Sequence, residues 1–190
     1  VQTFSIAAND IYTFELPYSD MELAEQGFMR NTFHITANEE VTVYGLSIAN
    51  TTSDGFLAFP TDVLGREYVI ASYPSNILYQ NNSNRINTAT TTMSQFAMVA
   101  AYDSTIVTIT PTVKTWNGDS TTYSIVLNQG QGYLVSLTQT QDNLMKDLTG
   151  SRIVSSKPLV VYGGHERAAI PVGAGSRDCL IEQMLPVEVW

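Results

Sequence analysis

Two histidines and a single cysteine narrow the chemistry open to this chain. A Ser-His-Asp triad needs a histidine beside an activated serine, and no Gly-x-Ser-x-Gly elbow occurs. His34 sits in a Thr-rich strand pattern and reads as a solvated strand residue. His165-Glu166, within Gly163-Gly164-His165-Glu166-Arg167, has residue types that could touch a ligand or a metal. No second histidine follows at helical spacing, and the segment is read as leaving a strand for a Gly-rich loop. A structural loop is therefore the first reading, with ligand contact the alternative. Val172-Gly173-Ala174-Gly175-Ser176 lacks both the lysine and the following helix of a phosphate loop.

Acidic residues are plentiful but scattered. Asp54, Asp62, Asp103, Asp119 and Asp178 fall at predicted strand ends, where surface β-domains hold calcium. None has EF-hand spacing, so Asx turns are the plainer reading and calcium the alternative. No other cofactor and no metal site is expected, and no catalytic residue is assigned. Cys179 cannot close an intrachain disulfide and reads as a small buried hydrophobe. The acceptors Asn50-Thr51-Thr52 and Asn81-Asn82-Ser83 put glycosylation at Asn50 and Asn81 if the source is eukaryotic.

The elements that must position these residues are strands. Charged residues are only 14% of the chain, and 22 Thr and 16 Ser take their place. That exchange favours pleated surfaces and turns over helices. Strand patterns are clearest at 2–6, 11–16, 32–36, 41–48, 68–72, 95–101, 106–110, 122–127, 132–137, 152–154 and 159–162. Ser104–Thr110 alternates strictly, as a half-buried strand does. Asn117-Gly118 is a hairpin-turn signal. Helical signal is confined to Ser19–Gln26 and Gln141–Leu148. A net charge of −9 without a Lys/Arg cluster speaks against nucleic acid, and no apolar run is long enough for a membrane helix.

The chain also repeats itself. Phe33–Gly45 returns as Ser151–Gly163, 118 positions later, each copy ending in a buried-strand pattern and Tyr-Gly. Glu39-Glu40 becomes Lys157-Pro158, which marks that carboxylate pair as turn filler rather than glycosidase machinery. Phe4-Ser5-Ile6 matches Tyr123-Ser124-Ile125 at an offset of 119, and Phe59–Val63 matches Leu185–Val189 at 126. The added residues fall in the segment after Tyr162-Gly163, predicted as a loop over Gly164–Asp178. A unit of this size suits an immunoglobulin-like sandwich better than a propeller blade. The expected fold is all-β, with β-sandwich-like units in tandem repeat; a propeller-like or solenoid β-repeat is the alternative. Residues 1–75 form the first unit, 76–92 a polar surface loop, and 93–190 a second, C-terminally incomplete unit. The repeat phase suggests a fragment of a longer surface protein.

Several strings resemble the IgGFc-binding protein N-terminal domain family. They are Asp147–His165, Ala58–Tyr68, Phe96–Ala101 and the closing Leu180–Trp190 with its Glu182-Gln183 and Pro186. The resemblance implies an extracellular binding or adhesion role and brings no catalytic residues. Many members carry cysteines in the loop after the Gly-Gly strand; here Arg167, Ala174 and Arg177-Asp178-Cys179 stand there. The resemblance therefore carries neither a disulfide nor a histidine function into this loop.

The functional expectation is a non-enzymatic extracellular or cell-surface module. Its partners would be a protein or glycan ligand, or neighbouring domains of its own chain. A structural spacer or fibre-forming surface repeat is the second reading, and a carboxylate-based hydrolase the third. Loops carry function on rigid β-scaffolds, so the expected binding residues are His165, Glu166, Arg167, Arg177 and Asp178. The turn at Tyr73–Tyr79 comes next.

Overall fold

The computed structural model describes residues 1–17, 27–29, 31–49, 51–75, 79–80, 85–86, 92–116, 118, 120–138, 145–171 and 174–190. Thirteen strands are found there: β1 (Gly27–Met29), β2 (Val43–Ala49), β3 (Thr52–Ala58), β4 (Glu67–Val69), β5 (Tyr79–Gln80), β6 (Arg85–Ile86), β7 (Ser94–Ala100), β8 (Thr105–Thr110), β9 (Tyr123–Leu127), β10 (Gly132–Ser136), β11 (Arg152–Ser155), β12 (Leu159–Ala168) and β13 (Asp178–Gln183). The only helical elements among the described residues are short 3-10 turns at Thr61–Val63 and Val187–Val189.

Four antiparallel sheets result, with strand orders β1-β10-β7-β12-β13, β4-β11-β8-β9, β2-β3 and β5-β6. None closes on itself. The two large sheets share one apolar core. β8 shows how the sequence builds it: Thr105, Val107 and Ile109 are buried while Ile106 and Thr110 are exposed. Alternate residues of a strand point to opposite faces, so this alternation aims a whole row at one core. Phe96 and Met98 from β7, Leu159 and Val161 from β12, Ile153 from β11 and Tyr68 from β4 fill the same cluster. The Tyr68 hydroxyl donates to the Leu159 carbonyl (2.6 Å) and accepts from the Gly65 amide (2.9 Å), so its polar end is satisfied inside.

The first repeat copy is treated differently. Expected strands at 2–6, 11–16 and 32–36 are not strands; these residues are largely exposed. The expected boundary at residue 75 is crossed as well, because β4 pairs with β11 and Tyr68 and Ile70 belong to the core built from 93–161. Within the expected polar loop 76–92, β5 and β6 pair and Thr92 is buried. Of the two helical signals, Ser19–Gln26 lies outside the described residues, as do residues 141–144 of Gln141–Leu148; its described part, Met145–Leu148, forms no helix, Met145 having φ 60° and Leu148 lying in the core. The turn at Gly118 has the positive φ (89°) expected of it, while Asn117 lies outside the described residues.

One part of the repeat is reproduced in three dimensions. β2 pairs with β3 as β12 pairs with β13, and each hairpin runs through a Pro into a 3-10 turn. The register is the same in both: Tyr44 faces Leu57 and Tyr162 faces Gln183, Gly45 faces Phe56 and Gly163 faces Glu182. Register is set by pattern and turn, and here two copies of the pattern yield one pairing.

Candidate functional site

The five expected binding residues lie on the β12–β13 hairpin, which is longer than the sequence suggests. β12 does not stop at Gly163; it continues through Gly164-His165-Glu166-Arg167 to Ala168, with an irregularity in pairing between His165 and Ala168. Only 169–177 connect it to β13. The glycines are not loop-formers. A Cβ on Gly163 would lie 2.1 Å from the Ala71 carbonyl oxygen, and one on Gly164 would lie 2.4 Å from that of Leu180. They are required because neighbouring backbone passes over the strand.

His165 is not a surface ligand; it is only 1% exposed. Its Nε2 lies 3.1 Å from the Pro74 carbonyl oxygen, and its Nδ1 accepts the Arg167 amide at 2.9 Å. A carbonyl only accepts and an amide N–H only donates, so the ring is held neutral with its proton on Nε2. Burial presses its pKa down to about 4, against the opposing effect of the Pro74 contact. With both nitrogens committed, the ring has no free site for proton transfer or metal ligation, and the His165-Glu166 hydrolase reading loses its base. Beneath the same turn lies a serine cluster that the sequence did not announce. Ser72 Oγ donates to the Gly164 carbonyl (2.5 Å) and meets Ser94 Oγ at 2.7 Å, and Ser75 Oγ accepts the Ser94 amide at 3.0 Å.

Asp178 and Arg167 serve the hairpin's attachment to β3. Asp178 Oδ1 accepts from the Thr52 hydroxyl and from the Ser53 and Cys179 amides (2.7 and 3.0 Å). The Thr52 hydroxyl leads the effects that hold this carboxyl below the ordinary carboxylate range, and the Arg167 charge adds to them. Arg167 reaches the Thr51 hydroxyl at 3.2 Å. Further along, Thr52 Oγ1 accepts the Cys179 amide (2.8 Å), Asp54 Oδ2 accepts the Ile181 amide (2.7 Å), and Gln183 Oε1 accepts the Phe59 amide (2.9 Å). Alternate side chains of β3 thus cap alternate amides of β13. The outer edge of the five-stranded sheet is closed by side chains rather than by a backbone ladder. Phe56 adds an edge-on contact with Tyr162, centroids 4.9 Å apart, and burial raises the Tyr162 hydroxyl to about 12.

Thr52 and Gln183 are not among the expected site residues, and Asp54 is expected only as a turn or calcium-binding aspartate. Asp54-Gly55 was read as a turn, whereas Asp54 Oδ1 accepts the Gly55 amide within a strand and its other oxygen spans to β13. The period-two placement of Thr52 and Asp54 was the available signal. Of the expected five, Glu166 is exposed and Arg177 partly so, at the hairpin's open end.

The remaining carboxylates do not converge. No group of three His, Cys, Asp or Glu side chains that could hold a metal occurs among the described residues. Asp103 accepts the Gln129 amide (3.0 Å), Asp62 is exposed, and Asp119, Asn50 and Asn81 lie outside the described residues. Cys179 is a free thiol, half-buried. His34 is exposed, and the described part of the Tyr73–Tyr79 turn contributes its Pro74 carbonyl to His165. A shallow depression of about 370 Å³ lies elsewhere, between Leu64–Arg66 and Pro186–Val189. There Glu188 Oε1 accepts the Arg66 amide at 2.8 Å. No helix among the described residues is long and apolar enough to cross a membrane.

Neither a curated protein nor a solved structure matches this chain. The family model described as IgGFc binding protein matches residues 54–190, which takes in Asp54, the shared core and the whole β12–β13 hairpin. The chain belongs to the IgGFc binding protein family.

Proposed function

We propose that this chain is a non-enzymatic extracellular module that binds a protein or glycan ligand, as part of a secreted or cell-surface protein. Membership of a binding family over 54–190 carries this reading. The chemistry of the hairpin supports it: His165 is neutral and bonded at both nitrogens, and Asp178 and Asp54 are spent on backbone amides. The surface we assign to the ligand is the hairpin's loop end, where Glu166 is exposed and Arg177, of opposite charge, partly so. β12 and β13 flank that end on both sides, as suits a recognition loop.

The test is a binding survey of the immobilised chain against immunoglobulin Fc, mucin glycoprotein and a glycan array. Saturable binding to at least one, weakened about tenfold or more by the double variant Glu166→Ala/Arg177→Ala, is expected. No saturable binding to any probe, or undiminished binding by the double variant, overturns the reading.

A further inference from the structure

The two equivalent hairpins meet along β3 and β13, and they do so through equivalent residues. Thr52 and Asp178, whose side chains are hydrogen-bonded to each other, stand 126 positions apart. That is the offset relating Phe59–Val63 to Leu185–Val189. Asp178 Oδ1 accepts the Ser53 amide at 2.7 Å, and Thr52 Oγ1 accepts the Cys179 amide at 2.8 Å. Ser53 and Cys179 are equivalent as well, so each hairpin caps the same amide of the other with the same position of its own. The partners advance together, from Thr52 and Asp178 through Asp54 and Ile181 to Phe59 and Gln183, so the two strands run in one direction. This is the reciprocity of a two-fold contact, in which residue i meets j and j meets i.

Further along the contact the residue types differ between the copies, and the differences are complementary. Asp54 Oδ2 accepts the Ile181 amide at 2.7 Å; the counterpart of Asp54 is Leu180, which has no acceptor to return. Gln183 Oε1 accepts the Phe59 amide at 2.9 Å; the counterpart of Gln183 is Leu57. Two second-copy hairpins in this arrangement would press two Asp178 carboxylates together and leave both Ile181 amides uncapped. Carboxylates only accept, and like charges in contact repel. Two first-copy hairpins would set Thr52 against Thr52 and leave both Phe59 amides uncapped. Only the mixed pair satisfies the Ser53, Phe59, Cys179 and Ile181 amides together.

We infer that the β3–β13 contact is a selective two-fold joint between repeat units. The partner β13 accepts is a hairpin of the first-copy kind, with a hydroxyl at the place of Thr52 and a carboxylate two residues later. It refuses a hairpin of its own kind, because the Asp178 positions would collide. Thr52, Asp54, Asp178 and Gln183 set this choice, by capping the right partner's amides and by repulsion or an uncapped amide against the wrong one. In this chain the first copy supplies the partner. Glu166 and Arg177 take no part in the joint, so the joint and the ligand end can fail separately.

A reciprocal joint makes Thr52 and Asp178 exchangeable as a pair but not singly. The intact chain, Thr52→Asp and the double variant Thr52→Asp/Asp178→Thr are compared by hydrogen exchange at the Ser53 and Cys179 amides, at neutral pH and without ligand. Thr52→Asp brings two carboxylates into contact, and both amides should exchange faster by about tenfold or more. The double variant has the net charge of the native chain and the same two side chains with their places exchanged. Its amides should return to within about threefold of the native rates. Native exchange in Thr52→Asp overturns the selectivity, and a double variant as fast as the single one overturns the two-fold joint. The double variant decides even where the single one unfolds, since bonds that are not reciprocal are lost in it and reciprocal ones are kept.

Discussion

Acidification should weaken this fold through one buried ring. His165 sits at 1% exposure with its pKa pressed to about 4, against 6.5 for an ordinary histidine. Between those values the unfolded chain binds a proton that the folded chain refuses. Stability therefore rises with pH across the window: it is fully present above about pH 6.5 and is lost as pH falls toward about 4. At about 1.4 kcal/mol per pH unit, the whole window is worth about 3 kcal/mol. The structural cause is plain. A protonated Nδ1 would face the Arg167 amide hydrogen, which it now accepts, so the imidazolium loses a bond and meets a like dipole.

Urea unfolding of the chain and of His165→Gln, across this window, measures the effect. The variant starts less stable at neutral pH because a packed ring is lost, but it has nothing to titrate at this position. The difference in stability between the two proteins should shrink by about 3 kcal/mol as pH falls from about 7 to about 4. His34 is exposed and common to both, and every carboxylate is common to both, so their contributions cancel. A difference that stays constant with pH would falsify the buried, neutral assignment and with it the clamp between Pro74 and Arg167.

Two further outcomes follow from the hairpin. Gly163→Ala places a methyl group 2.1 Å from the Ala71 carbonyl oxygen, so backbone must move; denaturant unfolding should show a loss of about 3 kcal/mol or more, and a loss below about 1 kcal/mol would mean that the strand and Ala71 are not so close. Asp178→Ala removes the acceptor shared by the Thr52 hydroxyl and the Ser53 and Cys179 amides; hydrogen exchange at Ser53 and Cys179 should quicken while Val107 and Ile109 in the core stay protected, and unchanged exchange at both amides would refute the latch.

Much of the core was readable because its signal is local. The alternation of Thr105, Val107 and Ile109 against Ile106 and Thr110 is a period-two pattern that burial alone enforces. The Gly163-Gly164 pair misled for an equally physical reason. Glycine is permitted both where a chain turns and where another backbone crosses a straight strand, and sequence does not say which. Taking it as a turn ended β12 too soon and placed His165 in a loop, when the ring lies under the hairpin between Pro74 and Arg167. The role of Asp54, Thr52 and Asp178 was hidden because each spans some 125 positions to a partner amide, and no local pattern encodes that distance.

The repeat shows what sequence identity of pattern does and does not determine. Tyr44-Gly45 and Tyr162-Gly163 occupy the same place in the same register, yet each glycine is needed by a different neighbour. Gly45 makes room for the Phe56 ring across its own hairpin, and Gly163 for the Ala71 backbone arriving from another sheet. The hairpin is therefore fixed by local pairing and keeps its form in either setting. Burial is not local: Leu159 and Ile153 vanish into a core because β7, β8 and β4 surround them, whereas Val41 and Ile35, which lie on no strand, stay half exposed.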